Sequence, residues 1–174
     1  MSRAASPLRR NGSPPSPPKG GEGHPRRLAV PHTDAPVIVV HSLAHAVAAL
    51  SAAAELRRPI TIASAPDAGI YAGPGWFGAL VAAARGAVPV ANATALLDCG
   101  DDAGAAQGAI RAGIEGIVFT GRADVAARLA DIAGQRGAVL VTTQPELALD
   151  LGTLFFADND ALRRRCADVL ASVT

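Results

Sequence analysis

Lysine is almost missing from this chain. Of 174 residues only Lys19 is one, and it lies near the N-terminus. A Schiff-base aldolase needs a desolvated lysine on its fold, and a Walker A loop needs GK[ST], so the region beyond residue 34 can perform neither chemistry. Cysteine is nearly as scarce: Cys99 and Cys166 lie far apart and form no CxxC. They read as reduced thiols of a cytoplasmic protein, not as a disulfide framework. Aromatic residues make up 3% and charged residues 18%, and the apolar runs are too short and too broken by Arg, Asp and Gly to span a bilayer. What remains is 49% hydrophobic, mostly Ala, Val, Leu and Ile, a helix-rich globular composition of ordinary single-domain size.

The near-neutral total charge hides an asymmetry. Residues 1–34 carry six basic side chains against two acids, a net +4, whereas residues 35–174 carry ten Arg against thirteen acids, a net −3. The body therefore lacks the basic footprint of a nucleic-acid binder. The tail is low in complexity, with SPPSPPKGGEGHPRR at its heart. Such a segment buries too little apolar surface to offset chain entropy. Residues 1–34 are expected to be a disordered, dispensable extension and residues 35–174 a single domain.

From Val37 the pattern alternates. Val37–Val40 reads as a first strand; Ser42 caps a helix over about 43–57, which Pro59 stops. Ile60–Ala65 is a second strand, followed by the loop PDAGIYAGPG and a helix from about Trp76 to Ala84. Thr94–Asp98 is a third strand; Asp101 or Asp102 opens a helix that Gly113 ends. Gly116–Thr120, a helix with Asp124 in its first turn, and Ala138–Thr142 follow. Pro145 is expected to start a short helix ending at Gly152, Thr153–Phe156 to form a sixth strand, and Asp160 to begin a last helix. Apolar strands alternating with helices predict an α/β fold with a parallel sheet covered on both faces. Eight such units close a barrel; the five or six here predict a partial (β/α), TIM-barrel-like sheet whose open edge invites self-association.

Two local signals suggest binding. Gly73-Pro-Gly75-Trp-Phe-Gly78 matches GxGxxG, with Asp98 twenty residues on, but about eight residues separate it from the preceding strand, which argues against a dinucleotide loop. Gly121-Arg122, ahead of a helix, is a candidate anion site through backbone N–H groups and a guanidinium. Asp98 is the principal candidate catalytic residue, a carboxylate at the C-terminal end of a strand, where barrel-like α/β proteins do their chemistry. The competing reading is that it only orders the loop.

AELRRPITIASAPDAGIYAG and VPVANATALLDCGDDAGAAQGAIRAGIEGIVFTG together resemble consecutive β/α units of the class II, metal-dependent ketose-bisphosphate aldolases, the tagatose-bisphosphate branch above all. HSLAHAVAALSAA fits that family's opening unit and ADVAARLADIAGQRGAVLVTT a later one, so the similarity spans about residues 37–143. The resemblance implies that Asp98 corresponds to the catalytic aspartate of the family's L-D-H motif and that Cys99 stands where a zinc-binding His belongs. Thr120 and Arg122 replace the Asp and Ser of its D-G-S motif around Gly121, and Thr142 and Thr143 fall where acids are expected. The family's later metal-binding histidines and phosphate loops belong to a C-terminal half not found here. His41, at the rim of the first strand, joins Cys99 as the second candidate ligand of a divalent metal such as zinc, if any is bound. The implied function is a metal-assisted carbon–carbon lyase on a small sugar-like carbonyl substrate, in degenerate form. The alternatives are a non-catalytic scaffolding subunit that pairs with itself or with another barrel half, and a nucleotide- or small-molecule-binding domain.

Overall fold

The computed structural model describes residues 35–173; the tail expected over 1–34 lies outside the described residues. The chain begins with β1 (Val37–Val40), α1 (Leu43–Leu56), β2 (Ile60–Ser64), a short α2 (Ala68–Tyr71) and α3 (Gly73–Ala87). It continues through β3 (Ala93–Asp98), α4 (Ala103–Arg111), β4 (Gly116–Val118), α5 (Ala123–Gln135) and β5 (Val139–Val141). β6 (Leu147–Asp150), a 3-10 turn (Leu151–Leu154) and α6 (Asn159–Ser172) complete it. The local signals act as expected. Ser42 accepts from the His45 amide at the start of α1, Asp102 accepts from the Ala105 amide at the start of α4, and Gly113 (φ 76°) and Gly137 (φ 70°) turn the chain after α4 and α5.

All strand pairs are parallel, and the sheet order is β5-β4-β3-β2-β1-β6. The first five strands lie side by side in chain order, as in a barrel. β6 attaches to the other side of β1, the place a closing strand takes in a complete barrel. Among the described residues β5 and β6 pair with no further strand and not with each other, so the sheet stays open.

Strand alternation divides the side chains into two sets. Ile38, Val40, Ile60, Ile62, Leu97 and Ile117 enter one large core together with residues of all the longer helices. Val39, Ala63, Leu96 and Val118 form a separate small cluster, flanked by Val37 and Val141, to which no helix contributes. The expectation of helices on both faces is therefore corrected. Helices cover one face, and the other is a concave interior whose apolar cluster comes from strand residues, as in a singly wound barrel. α6 closes the helix row beside α1: the Arg58 guanidinium donates to the carbonyl of Leu170 in α6 and to that of Val173, which caps it.

Other local expectations are corrected as well. The segment 145–152, expected to be helical, contains β6 (Leu147–Asp150), and 153–156, expected to be a strand, falls in the 3-10 helix and the turn after it. β1 has a free ladder edge, and pairing it satisfies backbone groups that a surface helix would leave open. The loop expected before Trp76 holds α2, and α3 begins already at Gly73. Phe77 is fully buried, while Trp76 stays 43% exposed and packs only in part.

Candidate functional site

The C-terminal ends of the strands gather the polar groups. Asp98 ends β3 in phase with Leu96, so its side chain belongs to the concave face; it is 5% exposed. Its Oδ1 accepts from the Gly100 amide at 2.7 Å, and its Oδ2 accepts from the Gln144 side-chain amide at 2.7 Å. The Asp98 backbone N–H donates to Ser64 Oγ at 3.0 Å, which ties the ends of β2 and β3. Gln144 comes from the segment after β5 and is itself exposed. The carboxylate thus has one oxygen fixed by backbone and one held by a side chain that solvent can reach.

Cys99 is the next residue and faces the other way. It is fully buried in the helix-side core, and a Cβ added at Gly69 of α2 would lie 2.6 Å from its Sγ. Burial, with the charges of Asp98 and Asp102 adding to it, pushes the thiol up to about 12. His41 follows β1 on the concave side, where its Nε2 lies 2.7 Å from Asp150 Oδ1. The structure therefore does not bring His41, Asp98 and Cys99 together. A catalytic zinc needs three protein ligands and an open position. Here the expected thiolate is a protonated thiol under α2, and one imidazole nitrogen is taken by a carboxylate. Among the described residues no group of three or more His, Cys, Asp or Glu side chains gathers as a metal cage. The residues do not fit the metal that the sequence resemblance implies.

Sequence reasoning missed Asp150 and Gln144. Asp150 lies opposite Val39 in the β1–β6 register, so it too points to the concave face. Its Oδ1 also accepts from the Gly152 amide at 2.8 Å. Desolvation pulls this carboxyl up, but the Gly152 hydrogen bond, the His41 hydrogen bond and the His41 and His45 charges together hold it below the usual carboxylate value. His45 is completely buried; its Nδ1 accepts the His41 amide at 3.3 Å, and its Nε2 has no partner among the described residues. Burial and the His41 charge lower its affinity for a proton, against the pull of Asp150. One signal was available for Asp150: an Asp-Leu-Gly turn after an apolar LAL run is a strand end bearing an acid, like Asp98.

The remaining candidates sit apart. Arg122 is exposed and engages Asp124 through both Nε (3.0 Å) and a terminal nitrogen (3.1 Å), so an anion beside Gly121 would have to displace a carboxylate. Gly73–Gly78 forms the opening of α3, with Pro74 removing an N–H, and is no phosphate-cradling loop. A cavity of about 490 Å³ opens at the opposite, N-terminal end of the concave face, lined by Val37, Thr61, Thr94, Gly116 and Leu147 among others. In barrel folds that end serves stability and the C-terminal end carries chemistry, so the polar rim, not this cavity, is the candidate site.

These features define a class: a singly wound, open, parallel α/β half-barrel with carboxylates and an imidazole at its C-terminal rim. Among solved structures, the crystal structure of a provisionally assigned fructose-1,6-biphosphate aldolase from Coccidioides immitis superposes with a TM-score of 0.50 at 24% identity, over 63% of this chain and 41% of that one. The likeness is one of fold, and this chain spans about two fifths of that protein's length. No protein-family model matches the chain, and no curated protein does. No helix among the described residues is long and apolar enough to cross a membrane.

Proposed function

We propose that the protein is an aldolase-like carbon–carbon lyase acting on a small hydroxylated or phosphorylated carbonyl compound, with Asp98 moving the hydroxyl proton. One observation carries the reading: Asp98 sits at the C-terminal end of β3 on the concave face, and only the exposed Gln144 side chain holds its second oxygen. A substrate hydroxyl that replaces the Gln144 amide can give its proton to Oδ2 and become a carbonyl as the adjacent carbon–carbon bond breaks, the electron pair of that bond passing into the other fragment's carbonyl as an enolate. The displaced hydrogen bond, made to a charged group, is worth about 1.5–3 kcal/mol net, which the substrate hydroxyl's own bond to the same oxygen offsets. Metal assistance forms no part of the reading, because the donors that the resemblance implied are divided between the two faces of the sheet.

The test is a retro-aldol assay on a panel of short β-hydroxy ketones and their phosphate esters. Asp98→Asn should lower cleavage at least about 100-fold, the usual scale for a positioned acid–base group, with the unfolding transition preserved. Equal rates for the variant and the parent chain would refute the assignment.

A specific observation favours a second reading, a non-catalytic subunit that self-associates. Among the described residues β5 and β6 both present unpaired ladder edges, and Leu147 on β6 is 47% exposed beside the apolar cavity. Unprotected parallel edges seek partners. Light scattering at micromolar concentration should then give twice the chain mass; a strictly monomeric protein sinks this reading.

A further inference from the structure

The geometry points to a second proton-transfer group on the same rim: His41, oriented by Asp150, acts as the base that takes a carbon-bound proton next to a substrate carbonyl. This inference rests on the reading of the rim as a site for small carbonyl compounds. It adds a chemistry that Asp98 does not supply.

The pair is built with little freedom. His41 Nε2 and Asp150 Oδ1 are 2.7 Å apart, although the residues are 109 positions apart in the chain. A Cβ on Gly152 would lie 2.8 Å from His41 Nε2 and 3.1 Å from Asp150 Oδ1, so only glycine leaves room for the contact. The Gly152 amide donates to the same carboxylate oxygen and aims it. The His41 backbone N–H is held by His45 Nδ1, and the two rings meet edge-on at 6.0 Å. Asp150 is held in its ionised form by these partners, and an ionised carboxylate accepts only. With a carboxylate oxygen 2.7 Å from Nε2, a ring that holds a single proton carries it on Nε2, which leaves the Nδ1 lone pair free; Nδ1 has no hydrogen-bond partner among the described residues. A carboxylate that fixes the tautomer and stabilises the imidazolium that forms is the arrangement that makes histidine an effective base.

The location fits. His41 follows β1, Asp150 ends the neighbouring β6, and Asp98 ends β3, all at one end of the sheet. Only β2 separates β1 from β3, so His41 and Asp98 start roughly 10 Å apart along the sheet. In the proposed step the C–H bond next to the carbonyl breaks, its electron pair moves into the carbonyl group to give an enolate, and the proton goes to His41 Nδ1. Return of a proton from the exchanged imidazolium regenerates the ketone. Asp150 acts through His41 and is a positioning residue.

The experiment uses the full chain in deuterated water with hydroxyacetone as the probe, and NMR follows loss of the C–H signal while the panel assay above follows cleavage. The parent chain should exchange hydroxyacetone well above the buffer rate. His41→Asn should lower exchange at least about 100-fold. Nitrogen-15 spectra should show His41 protonated on Nε2 in the parent and a shift toward the Nδ1–H form in Asp150→Asn, with exchange falling alongside; a purely structural latch between β1 and β6 would shift the tautomer and leave exchange unchanged. The spectroscopic readout stands even if His41→Asn folds poorly. Absence of exchange in the parent chain, unchanged exchange in His41→Asn, or an Nδ1–H tautomer in the parent overturns the proposal. Exchange without cleavage leaves the dyad standing and removes the lyase reading; cleavage with exchange indifferent to His41 does the reverse.

Discussion

Gln144 lays its side-chain amide on Asp98 Oδ2 at 2.7 Å, and that contact stands between a 5% exposed carboxylate and solvent. Gln144→Ala should leave the fold intact, because Gln144 is exposed and water can replace its hydrogen bond. The cost should be no more than about 1 kcal/mol, read by urea unfolding. Carbodiimide amidation of Asp98, mapped by mass spectrometry, should rise several-fold. Unchanged labelling would mean that the backbone, not Gln144, covers the carboxylate.

The acid side of the stability profile has a specific origin. Burial first, and then the His41 charge, hold the His45 imidazole below its ordinary 6.5 against the opposing pull of Asp150. The groups facing it are His41, Asp150 and the Phe155 ring, which meets it edge-on at 5.6 Å. The folded state then binds fewer protons than the unfolded chain, so stability is greatest above pH 6.5 and declines as pH falls from there toward the lowered folded value. Asp150 adds a separate loss at lower pH: its folded value is also depressed, so its contribution is present above 3.8 and disappears as pH falls through that lowered value. His45→Leu should flatten the first decline and leave the second, in denaturant midpoints measured from pH 8 to 3. A slope near pH 6 that persists in the variant would assign it elsewhere.

The order of β1 to β4 and their helices was legible because each strand is a short apolar run bounded by a recognisable cap or breaker: Ser42, Pro59, Asp102, Gly113. β6 was not. Leu147–Asp150 is an edge strand with both ends exposed, so it shows no buried run, and Leu147 and Leu151 mimic helical spacing. What makes it a strand is the free edge of β1, a tertiary cause. The site was half legible for the same reason. Asp98 stands out locally, whereas the His41–Asp150 contact joins residues 109 apart and leaves no local trace. The pairing of Asp98 with Cys99 as one site conflicted with a rule already available, since neighbouring residues of a strand point to opposite faces.

Both thiols should be inert in the native chain. Cys99 is pushed up to about 12 by burial and then by Asp98 and Asp102, and Cys166 up to about 11 by burial against the pull of Arg165. Both are fully buried, and only the thiolate reacts. A disulfide reagent at pH 8 should titrate neither in the folded protein and both in denaturant. Cobalt added to the folded chain should give no thiolate-to-metal absorption band. Rapid native titration of Cys99 would show that α2 opens readily, and would restore that residue as a potential ligand.

The close approach of Gly69 to Cys99 also sets how α2 seats on the sheet. A Cβ at Gly69 would lie 2.6 Å from Cys99 Sγ and 2.9 Å from the Asp98 carbonyl oxygen. The first neighbour is a side chain that a second mutation can remove; the second is backbone at the end of β3 and cannot give way without moving the carboxylate. Gly69→Ala should therefore cost about 1–3 kcal/mol, the range for overpacking a filled core. Adding Cys99→Ala should recover only part of that loss, because the Asp98 carbonyl remains too close. A double-mutant cycle in urea measures the split. Full recovery would mean that the thiol alone sets the spacing of α2, and that the end of β3 is free to shift.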